Sequence, residues 1–466
     1  MSRMKRDRQH WCWKFALGSW LVMGSAIGEA VLQTFAFSFN CAFAQITPDS
    51  TLPNNSRVTT QNNISTIEGG TQAGRNLFHS FQQFSVPTGG TAIFNNAANI
   101  QNIISRVTGG SVSNIDGLIR ANGTANLFLI NPNGIIFGAN ASLNVGGSFV
   151  ASTANALQFG NIGFFSATDK NIPSPLLTIN PSALLFNQIN QNAAIQNNSI
   201  APAGKDPAGF KALGLRVPDG KSLLLVGGNV SMDGGELNAS GGRVELGGLG
   251  EPGSVALGVD GDNLSLRFPE NVTRSEVSLN NQADIYVTGA GGGNIAVNAR
   301  NLEILGGSIL SAGIGQGLGT SETVAGDIRL NATGGINIAE GSFISNSVGL
   351  NSLGKSGNVN ITAESLSVTD GARLEASTYG KGDAGSVNIN ARDTVSFDGI
   401  GNDGNPSSAS SIVNLYAVGK SGGVNIITGS LFLTNGARLE ASTYGKGDAG
   451  SVNINARDTV SFDGIG

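Results

Sequence analysis

Residues 371–401 read GARLEASTYGKGDAGSVNINARDTVSFDGIG, and the same stretch recurs without a change at 436–466. Apolar and polar residues alternate within it along SVNIN and again along TVSFD, and Gly, Asp and Lys separate the runs. Alternation with a period of two, bounded by turn residues, is typical of β-strands and not of helices. The stretch therefore predicts a repeated unit built from short strands.

Weaker copies of the unit precede this duplication. The pattern Gly-x-[Val/Ile]-x-[Val/Ile/Leu] recurs at spacings of 33, 31, 28, 37 and 28 residues. Its first residues are Gly293, Gly326, Gly357, Gly385, Gly422 and Gly450. A self-similar unit of about thirty residues indicates a solenoid.

One unit predicts three short strands, at 358–363, 366–368 and 372–376. Such units wind into a right-handed parallel β-helix, in which each strand pairs with its equivalent one turn on. Equivalent asparagines would then align in a ladder, which stabilises stacked strands. The predicted ladder consists of Asn360, Asn388, Asn425 and Asn453. We therefore expect an all-β protein, a right-handed parallel β-helix (solenoid).

The composition agrees with a β-rich chain. Gly accounts for 68 of 466 residues, charged residues for only 13% and apolar residues for 40%. Gly is a poor helix former, so its abundance argues against a helical protein. A chain with this apolar fraction and so few charged residues can bury a hydrophobic core, which argues against disorder. The net charge of −5 gives no electrostatic case for nucleic acid as a partner.

The first 44 residues predict a signal peptide. A basic segment is followed by an apolar stretch from Phe15 and by Ala42-Phe43-Ala44, just before Gln45. This order is typical of a secretory signal cleaved after Ala44, although Glu29 leaves a membrane anchor as an alternative. All cysteines and tryptophans lie in this segment, namely Trp11, Cys12, Trp13, Trp20 and Cys41. The exported chain would therefore contain neither.

The amino-terminal half resembles a known family. Residues 126–154 read NLFLINPNGIIFGANASLNVGGSFVASTA and resemble the secretion domain of the filamentous haemagglutinin family, the exported partners of two-partner secretion. Segments 76–86 (NLFHSFQQFSV) and 102–119 (NIISRVTGGSVSNIDGLI) look like the same domain. Segment 241–257 is similar to one that follows the domain in members of cyanobacterial type. The family's Asn-Pro-Asn-Leu motif is absent in its literal form, so its role is assigned to no residue.

The resemblance implies a site and a partner. Asn131, Pro132, Asn133 and Gly134 lie between two apolar runs and predict a tight turn, because Pro fixes φ and Asn and Gly tolerate positive φ. In the family, this region is recognised by a dedicated outer-membrane β-barrel transporter, through strand addition. We therefore expect these four residues to act in transporter recognition.

Four segments follow from the repeats and the resemblance. They are the signal peptide (1–44), a haemagglutinin-type two-partner secretion domain (45–165), a continuing β-helix (166–290) and repeats of about thirty residues (291–466) that are truncated at the carboxyl end. The resemblance implies a secreted or surface-exposed adhesin-like exoprotein. Its cell-surface or polysaccharide ligand is not specified by the sequence. The stalk of a contact-dependent toxin is an alternative.

Catalysis has little support in the sequence. The mature chain has one histidine, His79, in an apolar context that favours a structural role, and no cysteine nucleophile. A GxGxxG match at 248–253 is followed by a predicted strand where a dinucleotide site needs a helix. Residues 260–263 (DGDN) are typical of a solvated turn more than of a calcium site. We expect no catalytic, cofactor or metal residues, and a β-helical polysaccharide lyase or hydrolase remains the enzyme alternative.

Overall fold

The computed structural model describes residues 45–170, 172–190, 193–260 and 263–464. The predicted signal peptide, with Ala42 and Ala44, lies outside the described residues, as do Gly261 and Asp262 of the candidate calcium turn. Every regular element of the described chain is a β-strand, so the predicted all-β class is confirmed. No described helix is long and apolar enough to cross a membrane.

The described chain contains 41 strands. The first are β1 Ile46–Pro48, β2 Ser56–Gln61, β3 Ile64–Gly69, β4 Thr71–Ala73, β5 Asn76–Phe84, β6 Thr91–Phe94, β7 Asn102–Val107, β8 Ser113–Ile115, β9 Leu118–Ala121, β10 Asn126–Ile130, β11 Ile135–Phe137, β12 Ser142–Asn144, β13 Phe149–Ser152, β14 Ala156–Phe159, β15 Gly163–Ser166 and β16 Ala183–Phe186. Next come β17 Ile195–Asn197, β18 Pro202–Lys205, β19 Lys211–Leu213, β20 Leu215–Arg216, β21 Ser222–Gly227, β22 Val230–Asp233, β23 Glu236–Asn238, β24 Arg243–Gly248, β25 Gly253–Asp260, β26 Asn263–Arg267, β27 Val277–Asn280 and β28 Asp284–Tyr286. The last are β29 Asn294–Ala299, β30 Leu302–Ile304, β31 Ile309–Ile314, β32 Ile328–Ala332, β33 Gly335–Ile338, β34 Phe343–Val348, β35 Val359–Thr369, β36 Arg373–Thr378, β37 Ser386–Asp398, β38 Ser408–Val413, β39 Gly423–Thr434, β40 Arg438–Thr443 and β41 Val452–Asp463.

Most of these strands pair in parallel ladders along three faces and so form a β-helix. In the repeats, β29, β30 and β31 form one turn, and they pair in parallel with β32, β33 and β34 of the next. Ile295, Ile328, Val359, Val387, Val424 and Val452 are successive partners in one ladder. The spacings predicted from the sequence are therefore the lengths of the turns.

The corner between the first two faces differs from the prediction in the later repeats. Segments 358–363 and 366–368 are expected to be separate strands, but β35 runs through both and only shifts register between Ala363 and Ser365. The chain bends at this corner by a bulge and keeps its ladder, and β37, β39 and β41 show the same register shift in the turns that follow. The third strand, β36, is present and extends two residues further than predicted, to Thr378.

The interior is filled by stacked aliphatic rows. Val359, Val387 and Val424 are all fully buried in the main core, which runs through every turn. On the outer surface of the same strands, the predicted asparagine ladder is confirmed. The side chains of Asn388, Asn425 and Asn453 each donate to the Oδ1 of the asparagine one turn earlier, at 2.9, 2.8 and 2.8 Å.

A second core lies outside the β-helix in the amino-terminal half. An antiparallel sheet, in the order β15-β14-β16-β25-β26, packs over the first face. Strand β10 is consequently buried on both sides, with Leu127 and Leu129 in the main core and Phe128 and Ile130 in the second. Burial on both sides explains why its sequence, NLFLI, is apolar without alternation.

The first turn is covered by antiparallel strands. Strands β1 and β4 both pair with β5, and the β2–β3 hairpin continues the third face through β6. A second hairpin, β18–β19, interrupts the third face between β12 and β20. Residues 166–290 therefore supply strands both to the β-helix and to the outer sheet.

Candidate functional site

The turn from β10 to β11 is formed by Asn131, Pro132, Asn133 and Gly134. The backbone N–H of Gly134 donates to the carbonyl of Asn131 at 3.1 Å, and the backbone N–H of Asn133 donates to Oδ1 of Asn131 at 3.0 Å. Of the four residues, only Gly134 has a positive φ, at 115°. The tight turn expected from the sequence is present, and its asparagines are used as hydrogen-bonding groups.

Asn131 is fully buried beneath this turn. Its side-chain amide donates to the carbonyl of Ser111 at 3.0 Å and to Oγ of Ser113 at 2.9 Å. Both partners precede or begin β8, the strand that pairs with β11. Asn131 therefore ties its turn to the neighbouring turn of the solenoid, and both ends of the amide are occupied.

Pro132 and Asn133 carry the turn to the surface. Both are half-buried, and the amide of Asn133 donates to the carbonyl of Gly109 at 2.7 Å. In the folded chain, a partner could contact Pro132 and Asn133 but not the side chain of Asn131. The four predicted site residues are thus contiguous and divide into a buried support, Asn131 and Gly134, and a half-buried tip, Pro132 and Asn133.

A buried asparagine ladder lies beside this site and was not predicted. Asn76, Asn102 and Asn126 begin β5, β7 and β10 and are partners in register. The amide of Asn102 donates to Asn76 at 2.8 Å, and that of Asn126 donates to Asn102 at 3.0 Å. The ladder could have been predicted from the sequence, because all three segments that carry the family resemblance start with Asn followed by Leu or Ile.

Arg106 is the largest fully buried polar side chain among the described residues, and nothing in its sequence context indicates its role. Its guanidinium donates to Oγ of Ser80 at 2.8 Å and to the carbonyl of Ser166 at 2.6 Å, and it lies 4.2 Å from the ring centre of Phe165. Burial lowers its pKa to about 10, against the opposing effects of Asp49 and Asp169. Arg106 thus joins the β-helix to the outer sheet.

His79 is a structural residue. It is 1% exposed, its Nδ1 lies 3.0 Å from Oγ of Ser56, and its ring packs against Phe81 and Phe94. Burial lowers its pKa to about 3, so the imidazole is neutral at physiological pH. A neutral ring enclosed by two phenylalanines contacts no solvent-accessible site.

Carboxylates on the surface of the solenoid act as structural acceptors. Glu236 and Asp284 are partners in register on adjacent turns, and burial raises the pKa of both, that of Asp284 to about 6. Asp284 accepts hydrogen bonds from the hydroxyl of Tyr286 and the backbone N–H of Ile309, each at 3.0 Å. The described residues contain no group of three or more His, Cys, Asp or Glu that could hold a metal ion.

The GxGxxG match does not open a helix. Strand β24 ends at Gly248, and β25 begins at Gly253 and belongs to the outer antiparallel sheet. Phosphate binding by this motif depends on the amino terminus of a helix directly after it. The expectation that a strand follows the motif is confirmed.

Comparison with known proteins points to one family. The model of the family described as the TPS secretion domain matches residues 44–297. The structure is similar to the HMW1 secretion domain from Haemophilus influenzae, with a TM-score of 0.56 and 21% identity over 90% of this chain and 100% of that chain. The filamentous hemagglutinin secretion domain aligns with a TM-score of 0.33 and 13% identity, over 85% of this chain and 99% of that one. No curated protein sequence matches the chain.

Proposed function

The chain belongs to the family of TPS secretion domains, whose model matches more than half of it, and we propose from this membership that it is an adhesin-like exoprotein displayed at the cell surface or released. TPS domains are the exported partners of two-partner secretion and engage an outer-membrane transporter. Export across the outer membrane follows from membership of this family. The adhesive function and the residues that carry recognition are the proposal.

The single observation that supports adhesion is the length of solenoid beyond the matched region. The family match ends at residue 297, and the ladders continue without a break through β41. These later turns present side chains along their outer surfaces. A stacked array of turns provides an extended exposed surface, which suits binding to a large partner.

Residues 131–134 are the proposed recognition segment for the transporter. They lie inside the matched region, and Pro132 and Asn133 reach the surface while Asn131 holds them from below. We therefore assign contact with the transporter to Pro132 and Asn133, and a positioning role to Asn131. The predicted cleavage between Ala44 and Gln45, which would release the chain into the periplasm, belongs to the same proposal.

Co-expression with the cognate transporter tests this division. Asn133→Asp adds a charge at the half-buried tip, and we expect the secreted fraction to fall sharply while the melting temperature falls by only a few degrees. Desolvating an unpaired carboxylate at an interface is costly, whereas the same group in water is not. The matched control is Asn351→Asp, which makes the same amide-to-carboxylate change at an exposed turn asparagine in the repeats.

The two compartments give a clear readout. The protein is quantified in the culture supernatant and in the periplasm for each variant. Normal export of Asn133→Asp would refute recognition at this turn. Adhesion is tested separately, by binding of the exported chain to intact cells, and a chain that is exported but binds no cell surface would refute the adhesive role alone.

A further inference from the structure

Three of the four tyrosines lie along one edge of the repeat region. Tyr379 and Tyr444 directly follow β36 and β40, and Tyr416 lies three residues after β38, the third-face strand of the turn between them. Together with Lys381 and Lys446 they form a surface that we name the Tyr–Lys edge. All five side chains are exposed to solvent.

Two of the tyrosines are held in equivalent positions two turns apart. Thr378, Val413 and Thr443 are successive ladder partners, so Tyr379 and Tyr444 occupy the same register position. Strands stack about 4.8 Å apart, which separates these two positions by roughly 10 Å. The hydroxyl of Tyr379 donates to Glu375 at 2.8 Å and that of Tyr444 to Glu440 at 2.6 Å, so both rings are fixed before any ligand arrives.

Tyr416, in the turn between them, has an unfavourable conformation. Its φ is 67° and its side chain is 90% exposed. A positive φ is uncommon outside glycine and asparagine, and for a bulky residue it indicates strain that the surroundings impose. Asn351 occupies the equivalent position two turns earlier and also has a positive φ, of 60°, so the turn imposes this conformation and leaves the ring of Tyr416 in water.

The lysines repeat with the same interval as the tyrosines. Lys381, Val418 and Lys446 are successive partners, so the two ammonium groups are also two turns apart. The neighbouring column is neutralised internally, by Lys355 with Asp383 at 3.6 Å and Lys420 with Asp448 at 3.3 Å. Among the ion pairs of the described residues, neither Lys381 nor Lys446 has a carboxylate partner.

We propose that the Tyr–Lys edge binds an acidic polysaccharide, a polymer that contains uronic acid. The rings of Tyr379 and Tyr444 pack against the apolar faces of sugars, and the exposed ring of Tyr416 contacts the same polymer from the turn between them, two residues beyond their register position. Lys381 and Lys446 pair with carboxylates that recur along the polymer. Two identical Tyr-x-Lys units at a fixed interval match a repeating ligand better than a single small molecule. This inference rests on the proposed adhesive function and names the ligand class.

The experiment measures binding of oligouronate to the exported chain by calorimetry. Cello-oligosaccharide, a neutral sugar, and polyphosphate, an anion without sugar, are the comparison probes. We expect saturable binding of oligouronate that weakens with added salt, and much weaker binding of the other two. The double variant Lys381→Gln/Lys446→Gln should lose about tenfold in affinity and most of the salt dependence.

Tyr416→Asn separates binding from stability. Asparagine tolerates a positive φ, so the melting temperature should stay the same or rise while affinity falls about fivefold. A residue with a purely structural role would not show this combination. The matched control is Phe210→Ala/Lys211→Gln, which removes an exposed aromatic ring and the adjacent exposed lysine at the β18–β19 hairpin.

Each outcome decides the proposal. Absence of oligouronate binding, equal binding of polyphosphate or cello-oligosaccharide, or unchanged affinity in both edge variants would overturn it. A loss of affinity in the hairpin control equal to that in the edge variants would also overturn it. If the exported chain still binds to cells in any of these cases, the adhesive function stands and only the assignment of ligand and surface is refuted.

Discussion

At the scale of single residues, buried amide side chains donate two hydrogen bonds and also accept, which neither a carboxylate nor a hydroxyl can do. Asn131 donates two hydrogen bonds and accepts two, both from Asn133, and Asn102 likewise donates to two neighbours and accepts from Asn126. An amide is the smallest neutral group that both donates and accepts in this way. The asparagine content of the chain thus has a structural cause in addition to its use in turns.

Asn131→Asp should destabilise the folded chain. The substitution removes both donors and directs a buried carboxylate at the carbonyl of Ser111, which costs about 3 kcal/mol in the free energy of unfolding. Asn133→Asp is the comparison, with an expected cost of about 1 kcal/mol because its side chain can turn to water. Denaturant titration measures both. Equal costs for the two variants would contradict the buried role of Asn131.

His79 should make the folded chain sensitive to acid. Its pKa is about 3 when folded and 6.5 in the reference state, so below pH 6.5 the unfolded chain binds a proton that the folded chain does not. The free energy of unfolding then decreases with falling pH, by up to about 1.4 kcal/mol per unit between pH 6.5 and 3. His79→Gln removes this one-proton difference between the folded and unfolded chains, so the slope of the free energy of unfolding against pH should decrease by up to about 1.4 kcal/mol per pH unit. Asp284 acts in the opposite direction in both chains, so the difference between wild type and variant isolates the histidine.

An unchanged slope in His79→Gln would show that the imidazole titrates normally and is not enclosed. The measurement is a series of denaturant titrations between pH 4 and 7 on both chains. Unfolding should be read by far-ultraviolet circular dichroism, because that signal depends little on the ionisation of side chains.

At the scale of elements, alternation of apolar and polar residues was sufficient to predict the strands of the repeats but not the layers of the amino-terminal half. The turn lengths, the β-helix and the Asn360–Asn453 ladder follow from spacing alone, since each repeat solves the same packing problem. Strands such as β10 carry no alternation, so the sequence does not reveal which layer covers their outer side. The outer sheet joins segments far apart in sequence, and pairings such as β16 with β25 leave no local signal.

The site was predictable in position and not in detail. The family resemblance located residues 131–134, and turn chemistry predicted their tight turn. Burial of Asn131 and the contacts with Ser111 and Ser113 depend on the neighbouring turn of the solenoid. Arg106 was missed for the same reason, because its partners lie in β5 and β15, and only the fold brings them together.

The two asparagine ladders should differ in their contribution to stability. Asn102→Ala leaves Oδ1 of Asn76 and the amide of Asn126 without their partner in a dry environment, at a cost of about 3 kcal/mol. Asn425→Ala interrupts the half-buried ladder of the repeats, where water replaces the lost bonds, and should cost about 1 kcal/mol. Thermal and denaturant unfolding measure the difference. A larger cost for Asn425→Ala would contradict the relation to burial.

At the scale of the whole described chain, stability is distributed along a one-dimensional array. Each turn contacts only its neighbours, so local stability follows local burial. Turns from β5 to β24 are stabilised by both the main core and the second core, whereas the later repeats have the main core and only a small third cluster of Ile314, Ala325 and Val348. We therefore expect the matched secretion region to have the higher local stability. The repeats, which carry the Tyr–Lys edge, should have the lower local stability.

This gradient predicts that the repeats unfold first. Tyr379, Tyr416 and Tyr444 all lie in the repeats, and Tyr286 lies in the turn just before them, so tyrosine emission reports on this region. Circular dichroism reports on the strands of every turn. In a denaturant titration of the exported chain, with its predicted signal peptide and hence all tryptophans removed, the tyrosine transition should precede the dichroism transition. Coincident midpoints would mean that the second core adds no local stability and that the solenoid unfolds as one cooperative unit, because in a nearest-neighbour array only strong coupling between turns can hide a difference in their burial.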